Sequence, residues 1–111
     1  MPPEQDPEEA VVLIVGGTFQ VDPDQRERFL AGRHDMMRTS RAEPGCLEYT
    51  FSADPIEPSR VVLFERWESQ DALDVHLAAL RTPSPSSGDS VAPKSASIVI
   101  YEVSGERSLG R

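Results

Sequence analysis

Apolar side chains come in separated blocks, and their period changes from block to block. The first block, Val11-Val12-Leu13-Ile14-Val15, continues through Gly16-Gly17-Thr18-Phe19-Gln20-Val21. It is β-branched and apolar at both parities, which predicts a strand buried on two faces. The glycine pair inside it marks a bulge or a point of close approach to the backbone. Asp22-Pro23-Asp24-Gln25 then opens a helix: Asp22 can cap it, Pro23 suits the first helical position, and Gln25 falls three residues after the cap. This helix is expected to run to about Ala42 and to stop before Pro44-Gly45. At about 100° per residue, Phe29, Leu30, Met36 and Met37 form its apolar face, with Arg33 near the middle and His34 at the edge.

Cys46-Leu47-Glu48-Tyr49-Thr50-Phe51-Ser52 alternates apolar and polar and reads as a second strand. A turn-rich connection follows, Asp54-Pro55-Ile56-Glu57-Pro58-Ser59, then a strand from Arg60 to Trp67. On that strand Val61, Leu63, Glu65 and Trp67 share one face, and Val62, Phe64 and Arg66 the other. Ser69 caps a second helix whose apolar face is Ala72, Leu73, Leu77, Ala79 and Leu80, with His76 close to its centre. Residues 82–97 are rich in proline and serine and are expected to form a loop, before a last strand at Ile98-Val99-Ile100-Tyr101-Glu102-Val103.

The order β-α-β-β-α-β predicts an α+β, ferredoxin-like fold: a four-stranded antiparallel sheet with both helices on one face. The expected organisation is an acidic N-terminal arm at 1–10, one domain over 11–104 and a tail at 105–111. Yet Val12, Ile14, Val62 and Phe64 lie on the opposite parity from Leu13, Val15, Val61 and Leu63. Two apolar sheet faces and helices enough for one predict a homodimer formed face to face between sheets.

Composition narrows the function classes. Over 111 residues the formal net charge is −8, which argues against nucleic acid or an anionic membrane as the main partner. A single cysteine, Cys46, rules out an internal disulfide and a multi-cysteine metal site and suits a reducing compartment. No apolar run approaches the roughly 20 residues of a bilayer span, and Met1-Pro2-Pro3-Glu4 lacks a basic leader region, so a cytoplasmic location is expected. His34 and His76 have no ligand-like spacing, and no glycine-rich phosphate loop precedes a helix. No metal, flavin or nicotinamide cofactor is therefore expected.

Arg33 and His76 interrupt otherwise apolar helix faces, and Glu65 and Trp67 share the strand face assigned to the helix side. Ionisable groups so placed need partners or a solvent-reachable cavity, so these four mark a candidate pocket between helices and sheet. Two readings of His76 stand open: a core imidazole satisfied by a backbone carbonyl or by Glu65, and a functional group, either a general base that takes a phenolic proton or one that orients substrate. Trp67 is either core or a flat wall for an aromatic ligand. Arg33 either lays its stem on the sheet with its head in water or binds a phenolate, a carboxylate or a superoxide-like anion. Tyr49, Phe51 and Met37 are candidate lining residues, and Cys46 reads as structural.

Glu43-Pro44-Gly45-Cys46-Leu47-Glu48-Tyr49, followed by Phe64-Glu65-Arg66-Trp67-Glu68-Ser69, Ala72-Leu73 and His76, resembles the antibiotic biosynthesis monooxygenase (ABM) domain family. The resemblance covers about Val11 to Leu80 and the last strand. It implies a dimeric α+β barrel of ferredoxin-like subunits. It also implies a cofactor-independent monooxygenase that oxidises an aromatic or quinol-like compound with O₂, with His76, Trp67 and Glu65 as catalytic candidates and Arg33, Tyr49, Phe51 and Met37 as substrate-binding ones. The family also contains haem-degrading enzymes and a signal-molecule isomerase. Haem-degrading and polyketide-oxidising relatives use an asparagine, and this chain has none. Many members carry a second histidine where Arg81 stands here. The alternatives are a non-enzymatic dimer that binds a small ligand and an isomerase of a small oxygenated metabolite.

Overall fold

Backbone pairing in the computed structural model, which describes residues 11–81 and 91–110, joins four strands into one antiparallel sheet. They are β1 (Val12–Gln20), β2 (Cys46–Ala53), β3 (Arg60–Trp67) and β4 (Ser95–Val103), in the spatial order β2-β3-β1-β4. The helices are α1 (Arg26–Ala31), α2 (His34–Arg41) and α3 (Gln70–Leu80). This is the ferredoxin-like α+β architecture expected from the element order. The acidic arm at 1–10 and the 82–90 part of the expected loop lie outside the described residues.

β1 alternates strictly: Leu13, Val15, Gly17 and Phe19 are buried, and the residues between them are half-buried. The first set faces the helices and packs with Phe29, Tyr49, Phe51, Val61, Leu63, Trp67 and Leu73 as one core. Register aligns the buried sets, with Leu13 opposite Trp67, Val15 opposite Glu65 and Gly17 opposite Leu63. The other face carries Ile14, Thr18 and Val62, with Phe64, Val99 and Tyr101 exposed upon it, and no helix of the described residues crosses it. At Gly16 the sheet has no side chain of its own, and the edge of the Tyr101 ring lies 3.5 Å from where a Cβ would stand.

Three expectations are corrected. The first helix is not continuous. Asp22 accepts the Asp24 N–H at 3.0 Å, and a 3-10 turn over Pro23–Gln25 leads into α1, which ends at Gly32. Gly32 and Arg33 take ψ near zero, so the Arg33 N–H bonds to the Leu30 carbonyl, three residues back, before α2 begins. A glycine inside a helix offers little resistance to such a break. The last strand begins at Ser95, not at Ile98, because Ser95, Ala96 and Ser97 pair with Gln20, Phe19 and Thr18; a ladder needs only backbone groups. Finally, α3 buries only its N-terminal half. Leu73 and His76 are covered, whereas Leu77 and Leu80 stay exposed, and so do Ile98 and Ile100 on the neighbouring part of β4.

Candidate functional site

That incomplete cover leaves a cavity of about 260 Å³ between the helices and the sheet. Its floor is Val15, Phe19, Tyr49, Phe51, Leu63 and Glu65, all on the helix-facing parity of β1, β2 and β3. α3 supplies Leu73 and His76 and, toward the exposed side, Leu77 and Leu80. Arg33 and Met36 close it from the α1–α2 break, and Ile98 and Ile100 from β4. The lining is apolar with a few convergent polar groups, the composition of a small-molecule site.

The imidazole of His76 is fixed from one side. Its Nδ1 lies 2.8 Å from Oε1 of Glu43, just before the turn into β2. An ionised carboxylate only accepts, so Nδ1 carries the proton in this pair and Nε2 of the neutral ring keeps its lone pair. Nε2 is buried and has no hydrogen-bond partner among the described residues. The ring packs at a tilt against Trp67 (centroids 4.6 Å apart, planes at 36°) and meets Tyr49 edge-on at 5.2 Å.

Glu65, only 5% exposed, accepts the Trp67 Nε1–H at 2.8 Å. Burial raises its pKa, and the indole hydrogen bond and the nearby His76 act against the rise. The Tyr49 hydroxyl is pushed well above the usual phenol range, chiefly by burial and then by the Glu65 charge. Arg33 is half-buried with its guanidinium carbon 4.2 Å above the Phe29 ring, and burial lowers its pKa. Burial raises the Cys46 thiol pKa as well. Among the described residues no three of His, Cys, Asp and Glu converge as a metal centre requires.

The structure thus brings His76, Glu65, Arg33, Tyr49 and Phe51 to one cavity. Two predicted residues stand elsewhere. Trp67 is fully buried behind His76 and Glu65 and does not line the cavity. Strand alternation gives a side chain its face but not its depth, and the imidazole and the carboxylate occupy the space in front of the indole. Met37 points to β2, where its sulfur accepts the Phe51 N–H at 3.5 Å, and Met36 takes the lining position. Both methionines belong to one apolar face, one edge of which meets the cavity and the other β2. Glu43, the partner of His76, had no periodicity to reveal it, since it sits in a turn 33 residues away. The available signal was its place at the head of the Glu43-Pro44-Gly45 run.

A ferredoxin-like sheet with an apolar cavity under its helices defines a class that serves many chemistries. Here the profile of the antibiotic biosynthesis monooxygenase family matches residues 12–80, a span that holds Glu43, Glu65, Trp67 and His76. The chain belongs to that family. The uncharacterised protein sll1783 of Synechocystis sp. is 35% identical over 102 residues, 87% of this chain and 67% of that protein. YcnE of Bacillus subtilis, provisionally named a monooxygenase, is 28% identical over 65 residues, 59% of this chain and 68% of its own length. Among solved structures, a Deinococcus radiodurans protein named for the same family superposes with a TM-score of 0.71 at 23% identity, over 89% of this chain and 98% of that one. That last likeness speaks to the fold alone.

Proposed function

We propose that this protein is a cofactor-independent monooxygenase of an aromatic, quinol-like compound, working as a homodimer in a reducing cytoplasmic setting. The observation that carries the reading is the Glu43–His76 pair beside the cavity, with Nδ1 engaged and Nε2 unpartnered. Oxygen reacts poorly with a neutral phenol, and removing the phenolic proton makes the ring an electron donor. His76 Nε2 takes that proton, and Glu43 stabilises the imidazolium that results. Electrons then pass from the ring to O₂. One oxygen atom bonds to a ring carbon and the other leaves as water, so a quinol and O₂ become a hydroxyquinone and water. Glu65 and Trp67 act behind this step: the indole holds the carboxylate, and together they fix the imidazole plane.

Oxygen uptake with a panel of hydroquinones tests the reading. The wild-type protein consumes one O₂ per quinol, and His76→Ala lowers kcat/KM by roughly 10²-fold or more. No uptake with any member of the panel, or uptake indifferent to His76→Ala, overturns it.

A further inference from the structure

Arg26, Arg41 and Arg60 all have acceptors within reach. Arg26 Nη1 donates to the carbonyls of Asp54, Glu57 and Arg60. Arg41 donates to the Tyr49 carbonyl and Thr50 Oγ1, and Arg60 pairs with Asp54 at 2.7 Å. Arg33 differs. Among the described residues no carboxylate pairs with it and no oxygen accepts from it, although its guanidinium lies on the face of Phe29 and within 5.8 Å of the Phe51 ring centre. A half-buried cation on an aromatic bed still has its N–H edge to satisfy, and Arg33 lines the cavity.

The position of that edge relative to His76 matters. Ring contacts form a continuous series from the first helix to the third: Phe29 to Phe51 at 6.3 Å, Phe51 to Tyr49 at 5.9 Å, and Tyr49 to His76 at 5.2 Å, the last three of these residues lining the cavity. Arg33 stands over the Phe29 and Phe51 end of this series, and the imidazole closes the other. The His76 end also holds Glu43 and Glu65, whose carboxylates repel an anion. A ligand with one acidic substituent therefore has one favourable orientation.

Building on the cavity proposed above as the site of oxidation, we infer that its ligand is an aromatic acid: a hydroxylated ring whose carboxylate pairs with Arg33 while a ring hydroxyl meets His76. A planar carboxylate matches the guanidinium fork by two parallel hydrogen bonds, which a phenolate oxygen cannot. A volume of about 260 Å³ suits a compound of one ring or two small ones. Arg33 thus selects the substrate and sets which ring position faces the base.

The single tryptophan, Trp67, packed against His76, reports binding by its fluorescence. Under anaerobic conditions the protein is titrated with 2,5-dihydroxybenzoate and with its methyl ester, which keeps the ring and hydroxyls but has no charge. The expected outcome is a Kd for the acid about tenfold or more below that of the ester. Arg33→Met and Arg33→Gln, each checked for fold by circular dichroism, bring the ratio of the two Kd values near one, and Arg33→Lys restores part of it. Equal Kd values in the wild type, a preference that survives both neutral variants, or no binding of the acid at millimolar concentration overturns the assignment. Oxygen uptake is followed separately. Tight binding of the acid without O₂ consumption would count against the oxygenase reading and leave the role of Arg33 intact.

Discussion

Glu65 is the residue at which burial and function conflict most. A carboxylate on a core-facing strand position loses hydration, and one indole hydrogen bond offsets part of that loss. Its folded pKa is raised, so its contribution to stability is full below the ordinary carboxylate range and is lost as the pH rises through the folded value. Glu65→Gln keeps an oxygen for the Trp67 N–H and removes the charge. The variant should therefore match the wild type in urea unfolding at pH 4 and exceed it at pH 8 by roughly 1 kcal/mol. A difference independent of pH would refute the assignment of the penalty to ionisation. At this scale the sequence was informative about which residues are unusual and silent about their partners. His76 and Arg33 stood out because each breaks an apolar helical face. Glu43 did not, because a turn residue has no periodic neighbours to contrast with, and its contact with His76 exists only once α3 has folded over β2 and β3.

Among the elements, the turn before β2 carries the tightest steric constraint. Gly45 has φ of +84°, and a Cβ there would lie 2.5 Å from the Cβ of Ala72 on α3. The same turn bears Glu43, and its Gly45 carbonyl accepts the Glu68 N–H at 2.9 Å. Gly45→Ala is expected to cost about 2 kcal/mol or more, from the left-handed backbone and the clash together, and to loosen the Glu43–His76 pair as α3 is pushed outward. Thermal unfolding measures the first effect. Element order, the caps at Asp22 and Ser69 and the alternation of β2 and β3 were legible in the chain because each is set by local chemistry. The break at Gly32 was not, since a single glycine is compatible with a continuous helix. Nor was the early start of β4, where Ser95–Ser97 join by backbone pairing to β1 and their side chains contribute no apolar signal.

For the molecule as a whole, the dominant feature is the sheet face that no helix of the described residues covers. Its apolar part is off-centre: β2 presents Glu48, Thr50 and Ser52 there, whereas β3, β1 and β4 present Phe64, Ile14, Val99 and Tyr101. A second copy laid on the β3-β1-β4 side would cover this patch, and desolvating it supplies the drive for the dimer proposed above. Phe64, 39% exposed in the single chain, is the position to disturb. Phe64→Glu should leave far-ultraviolet circular dichroism unchanged and convert the dimer to a monomer in size-exclusion chromatography with light scattering. A wild-type protein that elutes as a monomer at micromolar concentration would disprove the arrangement.

The uneven seating of α3 has one more effect. The helix is sealed at its root, around Leu73 and His76, and exposed toward its tip, where Leu77 and Leu80 touch water. A small molecule arriving past that tip meets apolar side chains that gain by being covered, whatever apolar guest covers them, so admission is unselective. Discrimination then falls to the root, where the imidazole is clamped from behind and cannot adapt to a poor guest.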